Sequence, residues 1–408
     1  MTDSTRIRAG QLVDVLSGEV LRDQLLVVRG ERIDSVVPDD GEPVDIDLSD
    51  HTVLPGLIDC HTHLIGEVES GQGYAALVRR TGAQEALSGV RNARDTITAG
   101  FTSVRDVGTF RAFVDVALRD AIDAGDVLGP RMLCAGAYVT SSGGGGDVTG
   151  LAPDVDAVVP RDLRFGVANS PDEVRKVVRE ILHGGADFIK VIATGAVLTE
   201  GTVPSAPEFS EAEIRAAVEE AALYDTHVAA HAHGAEGIKR AVRAGVRSIE
   251  HGSLMDDESI ALMAEHGTFL VADVWMGDWS IEQGEREGWS PNVMRKLRET
   301  TDVQRVGFAK AVEAGVRIAF GTDSGTYPHG MNANQFASMV KFGMTPMETI
   351  RSATVLAAEL LGWRDRVGAL EPGLFADLVA VEGDVMNDVD VLTDVAFVMK
   401  GGRIVPAT

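Results

Sequence analysis

The chain has 408 residues, enough for one large domain and a smaller one. Its 37 basic residues against 62 acidic ones, a net charge of −25, exclude nucleic acid and anionic membrane surfaces as favoured partners. Only Cys60 and Cys134 are present, no secretory pattern opens "MTDSTRIRAGQLVDV", and no apolar run approaches the ~20 residues that span a bilayer, so a reduced, cytoplasmic protein is expected.

Residues 5–54 read as short strands broken by turns: "RIRAGQLVDV", "DQLLVVRGERIDSVVP" and "DIDLSDHTVL" alternate apolar and polar residues. "FADLVAVEG" and "AFVMKGGRIVP" near the C-terminus have the same texture. The two ends, residues 1–54 and 366–408, are expected to form one composite β-sandwich domain. Between them, over 55–365, Val/Ile-rich runs alternate with helical patterns, the signature of βα units around a parallel sheet. Eight such runs are found: "VLPGLIDCHTHL", "TSVRDVG", "RMLCAGAY", "DFIKVIAT", "THVAAHAH", "SIEHG", "TFLVADV" and "VRIAFGTD". Eight in a row predict an α/β fold of the (β/α)8 TIM-barrel type. Ser170 to Glu173 and Ser210 to Glu213 read as capping boxes that start helices. Gly143 to Gly146, with no lysine or helix start after them, read as a flexible loop and not a phosphate cradle.

In such a barrel, chemistry gathers at the C-terminal ends of the strands. His61 and His63 end strand one, two residues apart and so on one face. Lys190 lies in strand four, His231 and His233 end strand five, His251 ends strand six and Asp323 ends strand eight. Neutral imidazoles and carboxylates are the ligands that Zn²⁺ and similar ions prefer, and this set is ample for two of them. A two-metal site holds its ions roughly 3.5–4 Å apart and needs a bridging ligand. No acid ends strand four to supply it. Lys190 either becomes that bridge by reacting with carbon dioxide to give a carbamate, or neutralises carboxylates such as Asp323. Arg105 and Asp106 on strand two read as braces of the barrel. Tyr138 near the top of strand three and His329 in the loop past strand eight are expected to meet substrate.

The segments "PGLIDCHTHL", "GADFIKV", "HVAAHAHGAEGIKRAVRAGVRSIEHG", "GTDSG" and "EPGLFADLVAV" resemble the amidohydrolase superfamily, in the branch of metal-dependent dipeptidases that includes Xaa-Pro dipeptidases and relatives of ochratoxinase and imidazolonepropionase. The resemblance implies two divalent ions, Zn²⁺ by default. His61 and His63 would bind one, His231 and His251 the other, with Lys190 as a carboxylated bridge and Asp323 as ligand and proton shuttle. Strand alternation leaves His231 and His233 equivalent; the resemblance assigns metal to His231 and leaves His233 beside the substrate carbonyl. It further implies a homo-oligomer that hydrolyses the amide bond of dipeptides or N-acyl amino acids with a metal-activated water. A cyclic amide, urea, carbamate or ochratoxin-like amide on the same site is the alternative, and a non-catalytic metal-binding barrel the alternative of another class. One departure lies in the loop after strand three, where Gly145 stands in place of a histidine common among related dipeptidases.

Overall fold

A computed structural model describes residues 4–65 and 75–406. The N-terminal part forms β1 (Ser4–Asp14), β2 (Glu19–Arg29), β3 (Arg32–Pro38) and β4 (Ile46–Pro55). The barrel region contains β5 (Leu57–Thr62), β6 (Phe101–Asp106), β7 (Arg131–Cys134), β8 (Tyr138–Val139), β9 (Ile189–Ile192), β10 (Val228–Gly234), β11 (Ser248–Leu254) and β12 (Phe269–Val271). The chain closes with β13 (Leu378–Glu382), β14 (Val395–Lys400) and β15 (Arg403–Ile404).

The two ends of the chain share one sheet, in the order β15-β14-β13-β4-β1-β2-β3. β4 lies parallel to β1 and antiparallel to β13, Pro55 opposite Leu378. Gly401 and Gly402, both at positive φ (54° and 72°), make the tight turn between β14 and β15, a geometry two non-glycine residues adopt only with strain. The expected sandwich is instead one continuous seven-stranded sheet. Register shifts in β1, β2 and β13 add twist, and the sheet curls until Arg32 in β3 bridges Phe375 just before β13. Its concave face encloses Ile7, Leu26, Ile33, Val53 and Leu378.

The barrel region is TIM-barrel-like. Its strands run parallel in two sheets, β5-β6-β7 and β8 through β12. The third expected strand is split, because Gly136 at φ 72° turns the chain between β7 and β8. The eighth is not a regular strand: residues 317–324 make isolated bridges, Ile318 to Leu270 and Ser324 to Thr62. That segment still donates and accepts on both sides. Leu270 N–H bonds Arg317 O (2.8 Å), and Cys60 N–H bonds Phe320 O (2.8 Å). Its irregularity has a steric cause. A Cβ on Gly321 would lie 2.2 Å from Val271 Cγ1 and 2.9 Å from His61 Cβ, so the chain crosses His61 too closely for any side chain.

Helices fill the connections. Ser210 and Glu213 form the expected capping box, whereas Ser170 caps Glu173 N–H but the Glu173 carboxylate accepts from Asn169 N–H (2.7 Å). Among the described residues no helix is long and apolar enough to cross a membrane.

Candidate active site

Parallel strands put their C-terminal ends on one side, and His61, His63, Lys190, His231, His233, His251 and Asp323 all line a single cavity of about 360 Å³ there. Ligand atoms of His231, His233 and His251 lie within 4.8 Å of one another, and so do those of His61, His251 and Asp323. Asp323 Oδ1 stands 3.4 Å from His61 Nε2 and 3.3 Å from His63 Nε2.

Four of the imidazoles are held through Nδ1. His63 donates to Gly108 O (2.7 Å), and His61 faces Glu250 Oε2 (2.8 Å). His233 faces Ser253 Oγ (2.8 Å) and His251 faces Asp273 Oδ1 (3.1 Å). The Nε2 atoms are thereby left for whatever fills the cavity. His231 Nε2 is buried and has no hydrogen-bond partner, which a cation would remedy. That unsatisfied nitrogen, among imidazoles and a carboxylate, fits a divalent cation.

Electrostatics favour the ligand forms. Burial, reinforced by neighbouring histidines, pushes His231 and His233 well below the usual imidazole pKa, so they stay neutral. Burial works to raise Asp323, but its contacts with the His61 and His63 rings outweigh burial and hold the carboxyl well below its usual range. Burial also works against a charged His251, yet Asp273 raises it. Burial pulls the Lys190 ammonium down to about 8, which makes the neutral amine accessible.

His251 and Asp323 share a second property. Both have left-handed backbones, φ 69° and 58°, a conformation that costs a non-glycine residue about 1–3 kcal/mol and recurs at functional sites.

The cavity wall is built from loops. Gly145 N–H donates to Glu208 Oε2 (2.7 Å) and Gly145 O accepts from Thr199 Oγ1 (2.8 Å). Gly143 and Gly146 are tied to Asp147 and Thr140, so the glycine run is pinned where a flexible loop was expected. From the helix Pro291–Glu313, the buried Lys296 ammonium reaches Ala196 O (2.9 Å) and Thr199 O (2.6 Å).

A family model for the amidohydrolase family matches residues 52–405. The chain belongs to the amidohydrolase family. This amidohydrolase is 34% identical to the ochratoxinase of Aspergillus niger, over 98% of this chain and 86% of that one. A solved Xaa-Pro dipeptidase with methionine bound in its active site aligns with a TM-score of 0.93 and 40% identity, covering 98% of this chain and 99% of the other. A prolidase complexed with N-methylphosphonate-L-proline gives 0.90 and 31% identity over 100% of both chains. These relatives place the protein among hydrolases of the ochratoxinase and dipeptidase branch. The family generally uses a divalent metal, and the two clusters could hold one.

The two further residues expected to meet substrate sit differently. Tyr138 lines the cavity, but its hydroxyl donates to Gly108 O (3.0 Å), beside the His63 ring that bonds the same carbonyl. His329 is not among the residues that line the cavity; its Nδ1 meets Thr96 Oγ1 (3.3 Å) against the helix Gly82–Thr98. Sequence reasoning passed over Asp273, Glu250 and Lys296 of this amidohydrolase. Asp273 closes "TFLVADV", a strand-end position of the same kind as those that were recognised.

Proposed function

We propose that the protein is a metal-dependent hydrolase of the amide bond in dipeptides or N-acyl amino acids. The observation that carries this is the convergence of five histidines, Lys190 and Asp323, from distant stretches of sequence, on one cavity. In this reading residues 55–365 are a closed (β/α)8 barrel, and 1–54 with 366–408 are its composite β domain.

His61 and His63 would hold one cation, His231 and His251 a second, with Asp323 contacting the first. Lys190 would bridge them as a carbamate, its neutral Nζ forming a bond to the carbon of CO₂ and losing a proton. Bound there, divalent cations supply an acidified water at neutral pH and polarise the scissile carbonyl. Asp323 takes the proton from the attacking water on a carboxylate oxygen and returns it to the leaving amine, a transfer its place between both imidazoles of "HTH" supports. His233, braced by Ser253, orients the substrate carbonyl.

A second reading is favoured by one feature of the lining. Among the described residues around the cavity, Lys190 is the only ammonium and there is no guanidinium to pair with a free carboxylate. That chemistry suits a neutral cyclic amide, urea or carbamate.

Purified, metal-loaded protein screened against dipeptides and N-acyl amino acids, and against neutral cyclic amides, ureas and carbamates, tests both. Hydrolysis of the acids supports the first reading and preference for the neutral compounds the second; turnover of neither, with metal bound, overturns both. Lys190→Ala is expected to lose metal and to regain activity with short carboxylic acids. Full metal content and activity in that variant, without added acid, would remove the carbamate.

A further inference from the structure

Glu250 and Arg105 are fully buried, and neither is among the residues that line the cavity. Arg105 Nη2 donates to Glu250 Oε1 (2.7 Å), Nη1 to Ser248 Oγ (3.0 Å) and Nε to Cys60 O (2.6 Å). Ser248 Oγ in turn donates to Glu250 Oε1. The other oxygen of the carboxylate, Oε2, meets His61 Nδ1 at 2.8 Å. Three strands, β5, β6 and β11, are thus joined by one polar chain that ends on a histidine facing the cavity.

Burying both charges is expensive, and apolar residues of similar size often serve packing as well or better. The arrangement does something packing does not. A guanidinium only donates, so Arg105 keeps Oε1 engaged and leaves Oε2 as the one acceptor presented to His61. Nδ1 must then carry the hydrogen, and Nε2 presents its lone pair to the cavity.

We infer that Glu250, oriented by Arg105 and Ser248, is the positioning residue that sets the tautomer and the direction of His61 and thereby the affinity of the ion His61 holds. This rests on the reading of His61 as a metal ligand. His63 and His233 have neutral partners, Gly108 O and Ser253 Oγ. His251 has a carboxylate partner, Asp273, but that acid takes a hydrogen bond from the Gln304 amide (2.8 Å) and not from a cation.

The test is cobalt binding to the full chain, read by equilibrium titration and by the visible d–d spectrum. In Glu250→Gln the single amide oxygen can face Arg105 or His61, not both. With the oxygen on Arg105, the amide N–H₂ points at His61 Nδ1, which must accept and so moves its hydrogen to Nε2. The expected result is about a 10–100-fold loss of affinity for one cobalt and an altered spectrum, the usual effect of removing an outer partner of a ligand. Ser248→Ala, which leaves both charges in place, is expected to lose roughly threefold or more in affinity, and it keeps the test open should Glu250→Gln not fold. Wild-type affinity and spectrum in a folded Glu250→Gln, or in Ser248→Ala if only that variant folds, would overturn the inference while leaving the ligand assignment intact. A wild-type protein whose cobalt binding is unaffected by His61→Asn would overturn the ligand assignment itself, and the inference with it.

Discussion

Replacing Lys296 by methionine should loosen one wall of the cavity without touching the seven residues that form its chemical floor. The ammonium bonds Ala196 O at 2.9 Å and Thr199 O at 2.6 Å, with Thr202 O at 3.5 Å, and its residue is 2% exposed, so water does not replace it. Methionine keeps the volume and removes every donor. Two short bonds to a charged donor contribute about 1.5–3 kcal/mol each. Relief of the buried charge offsets part of that, for a net loss of about 2–3 kcal/mol. Ala196 and Thr199 both line the cavity, so the loss falls on the binding surface. At about 1.4 kcal/mol per factor of ten, the ordered loop loses roughly 30–140-fold of its advantage over detached forms. Amide hydrogen exchange over residues 195–203 should quicken accordingly, and KM for the best substrate should rise at least ~10-fold while kcat changes less than ~3-fold. Unchanged exchange in that segment, or a fall in kcat with KM intact, would refute the reasoning.

Asp323→Asn preserves shape and removes the proton acceptor; kcat is expected to fall about 10²–10⁴-fold with the metal retained, and near-normal turnover would exclude the shuttle role. Glu208 gives a pH signature. Burial, against hydrogen bonding from Gly145 and the charge of Lys296, pushes its carboxyl to about 7 from the ordinary 4.5. The folded state keeps the proton through that window while the unfolded state releases it, so the wild type loses stability relative to Glu208→Gln as pH rises through it. Denaturant unfolding of both proteins at about pH 5 and about pH 8 checks this, and parallel curves would contradict it.

The site was more legible in the sequence than the scaffold that supports it. Period-two alternation in "DCHTH" put His61 and His63 on one face, and strand-end placement found Lys190, His231, His233, His251 and Asp323, because those positions have a single geometric consequence in a parallel barrel. Alternation did not separate His231 from His233, and the two remain neighbours, ring centroids 4.6 Å apart. Tyr138 was legible as a lining residue but not as one whose hydroxyl is committed to Gly108 O. His329 lies outside the cavity lining, and a loop past a strand has no period that would orient it. Glu250 and Ser248 left a signal that went unread: two polar residues at i and i+2 in a strand buried throughout most of its length must find partners. Lys296 was hidden because its partners are backbone carbonyls of a remote loop, which no local pattern encodes. The split third strand and the irregular eighth depend on glycines crowded by tertiary neighbours.

The pairing of Pro55 with Leu378 bears on how the chain is made. While the ribosome is still working through the barrel, β4 has β1 on one flank and an open row of backbone donors and acceptors on the other. The strand that covers this row is among the last to emerge. A nascent or prematurely terminated chain therefore carries an adhesive edge at its start, and a polypeptide ending before Leu378 should aggregate even though the cavity's own residues have all been synthesised.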